Sequence, residues 1–149
     1  MTEKTKTHVF VREVRVNYCG PRRKGPHIQK AVDVKPLLVS LLKDNAREHF
    51  IAIYLDGAHR VASYSVVSIG TARHTVVHPR EIFQPAILSG ACAVIIAHNH
   101  PSGDLEPSTE DRWLTEQIVD AGKLLGIPVL DHVIFSEHEI ISAAQQGWL

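Results

Sequence analysis

A mixed β-sheet with helices packed on both faces, an α/β architecture, is predicted by this sequence, and three observations carry that reading. Segments with helical apolar spacing and recognisable ends alternate with short apolar runs of strand length. A turn dipeptide, Asp56-Gly57, joins two such runs directly, so at least one strand pair is antiparallel. The run from Ala91 to Ala97 (ACAVIIA) is apolar at every position, as in a central strand covered on both faces.

Each element follows from local chemistry. His8 to Tyr18 (HVFVREVRVNY) alternates in places and reads as a strand with an irregularity near Glu13. Residues 19–30 (CGPRRKGPHIQK) carry two Gly, two Pro and four Lys/Arg, a basic loop. Pro36 to Ala46 predicts a helix, with Pro36 suited to the first turn and Leu37, Leu38, Leu41 and Leu42 on one stripe. Phe50 to Leu55 and Arg60 to Ile69 are the two strands of the hairpin. Pro79 opens a second helix with Ile82, Phe83, Ala86 and Ile87 inward, and Gly90 lies past its end. Ser108 is the N-cap of a third helix, whose buried stripe is Leu114, Ile118, Ala121 and Leu125. Gly126 ends that helix and Pro128 prevents its continuation. Val129 to Phe135 and Ile140 to Ser142 complete the sheet as two short strands.

Composition bounds the function. With 149 residues, 44% apolar and 21% charged, the chain is sized for one domain with a real core. The expected organisation is a strand and basic loop over residues 1–34 leading into a domain over 35–149. No apolar run reaches the about 18 residues of a membrane span, and the first ten residues lack the apolar stretch of a signal peptide. Two cysteines, Cys19 and Cys92, make no disulfide framework, so a cytoplasmic setting is expected. Cys92 reads as a small buried hydrophobe. Net charge is zero, but residues 1–30 hold eight Lys/Arg against two Asp/Glu, and the remainder hold eight against fourteen.

The chemistry concentrates in HNHPSGDLEPSTED, His98 to Asp111. His98 and His100 stand two apart at the end of the apolar strand, so they share one face of the sheet. Asp111 lies in the first turn of the following helix, three and seven residues before Leu114 and Ile118, and leans inward. An ionised carboxylate facing a core is costly unless it is paired or binds a metal. Two imidazoles and one carboxylate form the three-ligand set of a catalytic zinc site whose fourth position is left to water. One zinc ion per chain is therefore the expected cofactor. His132 lies inside an apolar strand and reads as a packed partner behind the ligands in preference to a ligand. Asn99 points to the opposite strand face and reads as structural.

The spacing H-x-H-P-x6-S-x2-D at a strand–loop–helix junction resembles the JAMM/MPN zinc metallopeptidase family, and most closely its RadC-type branch. The segments EHFIAIYLD, IGTARHTVVHPREIF and LLGIPVLDHVIF are similar to that branch in the same order, so the resemblance covers about residues 35–143. It implies an MPN/JAMM fold of cytidine-deaminase-like type, with His98, His100 and Asp111 holding zinc. It further implies that Ser108 donates its hydroxyl to the reacting carbonyl oxygen and that Glu48 is the general base. Read alone, Glu48 is an ordinary glutamate at a strand start, and Glu81, Glu106 and Glu110 are alternatives. Full-length members of the branch carry an N-terminal helix-hairpin-helix region, which residues 1–34 are too short and too strand-like to form.

Two functions follow. The first is a zinc-dependent peptidase or isopeptidase acting on a peptide or isopeptide-linked protein. The second is a nucleic-acid-associated, DNA repair-related module using the basic residues Arg12, Arg15, Arg22, Arg23 and Lys24. Aromatic residues do not alternate with those charges, Tyr18 being the one that stands among them, and the sequence pI of 7.2 lies below the basic range of nucleic-acid binders. The metal chemistry is the preferred reading. The zinc deaminases are set aside, because they require H-x-E followed by P-C-x-x-C, and neither is present.

Overall fold

Alternation along the strands divides the apolar residues between two cores, one on each face of a single sheet. The computed structural model describes residues 15, 17, 19, 24–42, 44–70 and 77–149. Apart from Arg15 and Asn17, the predicted strand from His8 to Tyr18 lies outside the described set, as do the basic residues Arg12, Arg22 and Arg23. A 3₁₀ turn over Ala31–Val34 leads into α1 (Lys35–Leu41), and then β1 (Glu48–Leu55) pairs with β2 (Val61–Gly70). Next come α2 (Pro79–Leu88), β3 (Ala93–Asn99), α3 (Thr109–Leu125), β4 (Val129–Phe135), β5 (Ile140–Ser142) and a short α4 (Ala143–Gln146). The strand order is β2-β1-β3-β4-β5. All neighbours are antiparallel except β3 and β4, which are parallel and connected through α3. The expected mixed α/β sheet is the observed one.

On one face, Ile51, Ile53, Leu55, Ile95, Val133 and Phe135 pack under Ala31, Val34 and Leu38. On the other, Phe50, Ala52, Tyr54, Val94 and Ile96 pack under Ile82, Phe83, Ala86 and Ile118 of α2 and α3. Ile28 joins the first core, so buried packing reaches back into the segment before residue 35. No helix among the described residues is long and apolar enough to cross a membrane.

Several expectations are corrected. The first helix ends at Leu41 instead of Ala46, because Leu42 turns extended and Asp44 folds back on its own backbone, accepting from Ala46 N–H at 3.0 Å. The central strand starts and ends two residues later than predicted, at Ala93 and Asn99, which takes His98 into the ladder. Ile87 and Leu125 are exposed, at the last turns of their helices where the sheet no longer lies beneath them. The buried face of α3 is instead completed by Thr115 and Gly122. Cys92 is exposed, since it precedes β3.

Gly122 brings α3 close to the turn before β4. A Cβ there would lie 2.6 Å from the Ile127 carbonyl oxygen and 3.2 Å from the Phe83 ring. Alanine gains about 1 kcal/mol of helix propensity over glycine. Overpacking against backbone costs about 1–3 kcal/mol and outweighs that gain. Gly122→Ala is therefore expected to lower the urea midpoint, whereas Leu124→Ala, at an 88% exposed position, should shift stability by no more than about 0.5 kcal/mol. A Gly122→Ala variant more stable than the parent would show that α3 does not press on the turn before β4.

Candidate metal centre

Register brings the site together. Phe50 of β1 pairs with His98 of β3, and their rings stack with centroids 5.9 Å apart and planes 6° apart. Glu48 opens β1 two residues before Phe50, near enough for its charge to act on His100. In the parallel pair, Ile96 matches His132, which places His132 on the face that bears His98. A tight turn follows β3, with Gly103 at φ 81° and its N–H donating to the His100 carbonyl. The loop then leads to Ser108, whose Oγ accepts from Asp111 N–H at 3.1 Å while Asp111 Oδ2 accepts from Ser108 N–H at 2.8 Å. This reciprocal cap turns the Asp111 carboxylate inward.

Three ligand atoms converge there. His98 Nε2 lies 2.8 Å from His100 Nε2 and 3.2 Å from Asp111 Oδ1, and His100 Nε2 lies 3.5 Å from Asp111 Oδ2. Tetrahedral zinc with bonds near 2.05 Å separates its ligands by about 3.3 Å, so this donor set fits the ion with small adjustment. Among the described residues, His98, His100 and Asp111 form the group able to hold a metal. The donor group opens to solvent on the side of His100 and Asp111, which are only partly buried, while His98 is fully buried.

The electrostatics are those of a cation site. Burial alone would raise the Asp111 carboxyl, but the neighbouring imidazoles of His100 and His98 hold it well below the carboxylate range. The hydrogen bond to Asp111 raises His100 despite its desolvation, helped by the Asp104 carbonyl and the charge of Glu48. His132 is driven well below the usual imidazole range by complete burial and by the neighbouring His98, and so stays neutral.

The remaining candidates are placed as follows. Glu48 is half-buried at the start of β1. Ser108 is the N-cap one turn from Asp111, and accepting from Asp111 N–H leaves its own proton to donate. Glu106 is exposed and faces Arg112 at 3.7 Å, Glu110 is exposed, and Glu81 is engaged with His78 N–H at the start of α2. Asn99, on the opposite face, accepts from His49 N–H at 2.7 Å and donates to the Arg47 carbonyl at 3.0 Å, bracketing Glu48. Thr115 and Trp148 escaped the sequence reading. Thr115 is a buried polar residue four places after Asp111, a position the helical period could have flagged. Trp148 packs edge-on against His132 at 5.8 Å and lies beneath Arg112, a contact that no local pattern signals. A groove of about 540 Å³ runs between loop residues 103–106 and residues 139–141, with Leu105 and Ile140 in its wall and Asp104, Glu106 and Glu139 at its rim.

A family model described as the RadC-like JAB domain matches residues 28–148. Similar curated proteins include a UPF0758 protein of Methanosarcina acetivorans, 39% identical over 140 residues, which are 94% of this chain and 57% of that protein. Another, from Methanococcoides burtonii, is 41% identical over 94% of this chain and 60% of its own length. A third, from Rubrobacter xylanophilus, is 46% identical over 75% of this chain and 49% of its own length. The chain thus spans roughly half to three-fifths of the length of these relatives.

The raised His100 and lowered Asp111 fix a pH dependence. The His100 contribution to stability is complete below 6.5 and is lost as pH rises through its raised folded value. The Asp111 contribution is present above 3.8 and is lost as pH falls through its lowered one. Between these limits a proton on His100 competes with any metal. Zinc uptake at pH 6 should release about one proton, and fewer at pH 9, as read by titration calorimetry in buffers of different ionisation heat. Uptake without proton release at pH 6 would contradict the assigned donor set.

Proposed function

Because the chain belongs to the RadC-like JAB domain family, we propose that it is a zinc-dependent hydrolase of amide bonds, a peptidase or isopeptidase. The observation that carries the reading is the convergence of His98, His100 and Asp111, with the Glu48 carboxylate near enough for its charge to act on His100. When bound, zinc supplies a Lewis acid and lowers the pKa of water toward about 7.

The protein's own groups do the rest. His98, His100 and Asp111 hold the ion with one overall negative charge among them. The Glu48 carboxylate takes a proton from the attacking water and returns it to the leaving nitrogen, so one group serves as base and then as acid. The Ser108 hydroxyl donates to the carbonyl oxygen as negative charge develops on it, a contribution worth about 10²–10³ in rate. The groove between residues 103–106 and β5 supports an extended polypeptide as substrate, since it combines an apolar wall with polar rims.

Two substitutions separate base from ligand. Glu48→Gln is nearly isosteric and should keep zinc and change stability by no more than about 1 kcal/mol. It cannot take the water's proton, so the rate on a peptide library or isopeptide-linked substrate should fall about 10²–10⁴-fold. Asp111→Asn removes a charged ligand and should lower zinc content first. Wild-type hydrolysis by Glu48→Gln at full zinc occupancy would move the proton shuttle elsewhere. Zinc-loaded parent protein inert toward every amide substrate would remove the hydrolase.

A further inference from the structure

Behind the ligand atoms runs a line of short polar contacts whose hydrogens can be placed by counting. The Thr115 hydroxyl lies 2.6 Å from the Asp111 main-chain carbonyl and 2.5 Å from His132 Nδ1. Across that ring, His132 Nε2 lies 2.8 Å from His98 Nδ1. Thr115, His132 and His98 are all buried. At such separations each contact needs one hydrogen between its atoms, because two bare lone pairs repel.

A carbonyl has no hydrogen to give, so the Thr115 proton goes to the Asp111 oxygen. Thr115 then has none for His132, and the hydrogen in that contact sits on His132 Nδ1. His132 touches no carboxylate and is sealed between Phe50 and Trp148, so its ring is neutral and carries a single N–H. Its Nε2 is therefore an acceptor, and the hydrogen between the two rings belongs to His98 Nδ1. His98 Nε2 is left with its lone pair, facing His100 Nε2 at 2.8 Å and Asp111 Oδ1 at 3.2 Å.

We propose that Thr115 and His132 are positioning residues: a one-way hydrogen-bond chain, anchored on the Asp111 carbonyl, that locks His98 in the Nδ1–H tautomer with Nε2 free for the metal. The inference rests on the metal-centre reading above. Its consequence is that two ligands are keyed to each other, since Asp111 offers its carboxylate to the site in front and its main-chain oxygen to the chain behind. A metal-bound imidazole usually donates its other N–H directly to a carboxylate, carbonyl or water. Here a neutral ring is interposed, which carries the constraint through an apolar core without burying another charge.

The test reads tautomers and zinc affinity, not turnover. In long-range ¹H–¹⁵N spectra of zinc-free protein, His98 and His132 should both carry hydrogen on Nδ1. Competition with a chromophoric chelator should show zinc binding weakened about 10–100-fold in His132→Leu. His132→Gln, whose side-chain oxygen can accept from His98, should recover most of that loss. Thr115→Val, close to isosteric, should weaken zinc and release the His132 tautomer, and Thr115→Ser should restore both. If His132→Leu does not fold, the Thr115 pair carries the test. A His98 hydrogen on Nε2 in the zinc-free parent, or wild-type zinc affinity in folded Thr115→Val, would overturn the chain and leave the hydrolase standing. Weakened zinc binding in these variants supports the chain even where the parent cleaves no amide bond, a result that counts only against the reaction.

Discussion

The structure turns on the desolvation of one imidazole. β3 is covered on both faces, so His98, at its end, is fully removed from water. A buried polar ring must have both nitrogens satisfied or cost about 1–3 kcal/mol for each one left bare. Its surroundings read as the answer to that demand: His132 on one nitrogen, His100 and Asp111 on the other, and Phe50 flat against the face. Each partner comes from a different element, so satisfying His98 ties β1, β3, β4 and α3 to a common geometry.

The two-residue period of β3 then does double duty. His98 and its apolar predecessors Ile96 and Val94 face α2 and α3, while Asn99 faces the other way. The Asn99 amide grips the backbone on both sides of Glu48, at the His49 N–H and the Arg47 carbonyl. Thus the start of β1, where the candidate base sits, is held by one side chain on the far face and by the β1–β3 ladder. Its position does not depend on a loop, and rigid elements hold positions better than loops do.

How much of this was legible in the sequence depends on the range of the interactions involved. The α3 N-cap is local: Ser108 and Asp111 are three residues apart, and their reciprocal bonds follow from their chemistry. The same holds for the hairpin at Asp56-Gly57 and for the burial of β3 by its apolar run. The end of α1 was misjudged because Asp44 competes for the backbone and Leu stripes do not reveal it. The buried face of α3 was half missed, since Thr115 and Gly122 are not apolar side chains and owe their burial to His132 and to the Ile127 carbonyl. Glu48 was legible only through family resemblance, because its place near His100 depends on the pairing of two strands that lie tens of residues apart in sequence, which no spacing rule contains.

The site is organised before any ion arrives. His100 offers a hydrogen from Nδ1 to the Asp104 carbonyl at 2.6 Å, and with His98 Nε2 bare, a second hydrogen on His100 Nε2 must fill the 2.8 Å gap between the rings. That proton, balanced by Asp111, holds the three donors at separations close to those around tetrahedral zinc. Replacing it with a divalent ion would change charge more than position. Zinc fingers differ in that their ligands come together only with the metal. Here two cores of aliphatic and aromatic residues on a five-stranded sheet hold the donors, so an ion bound there would have little ordering left to do.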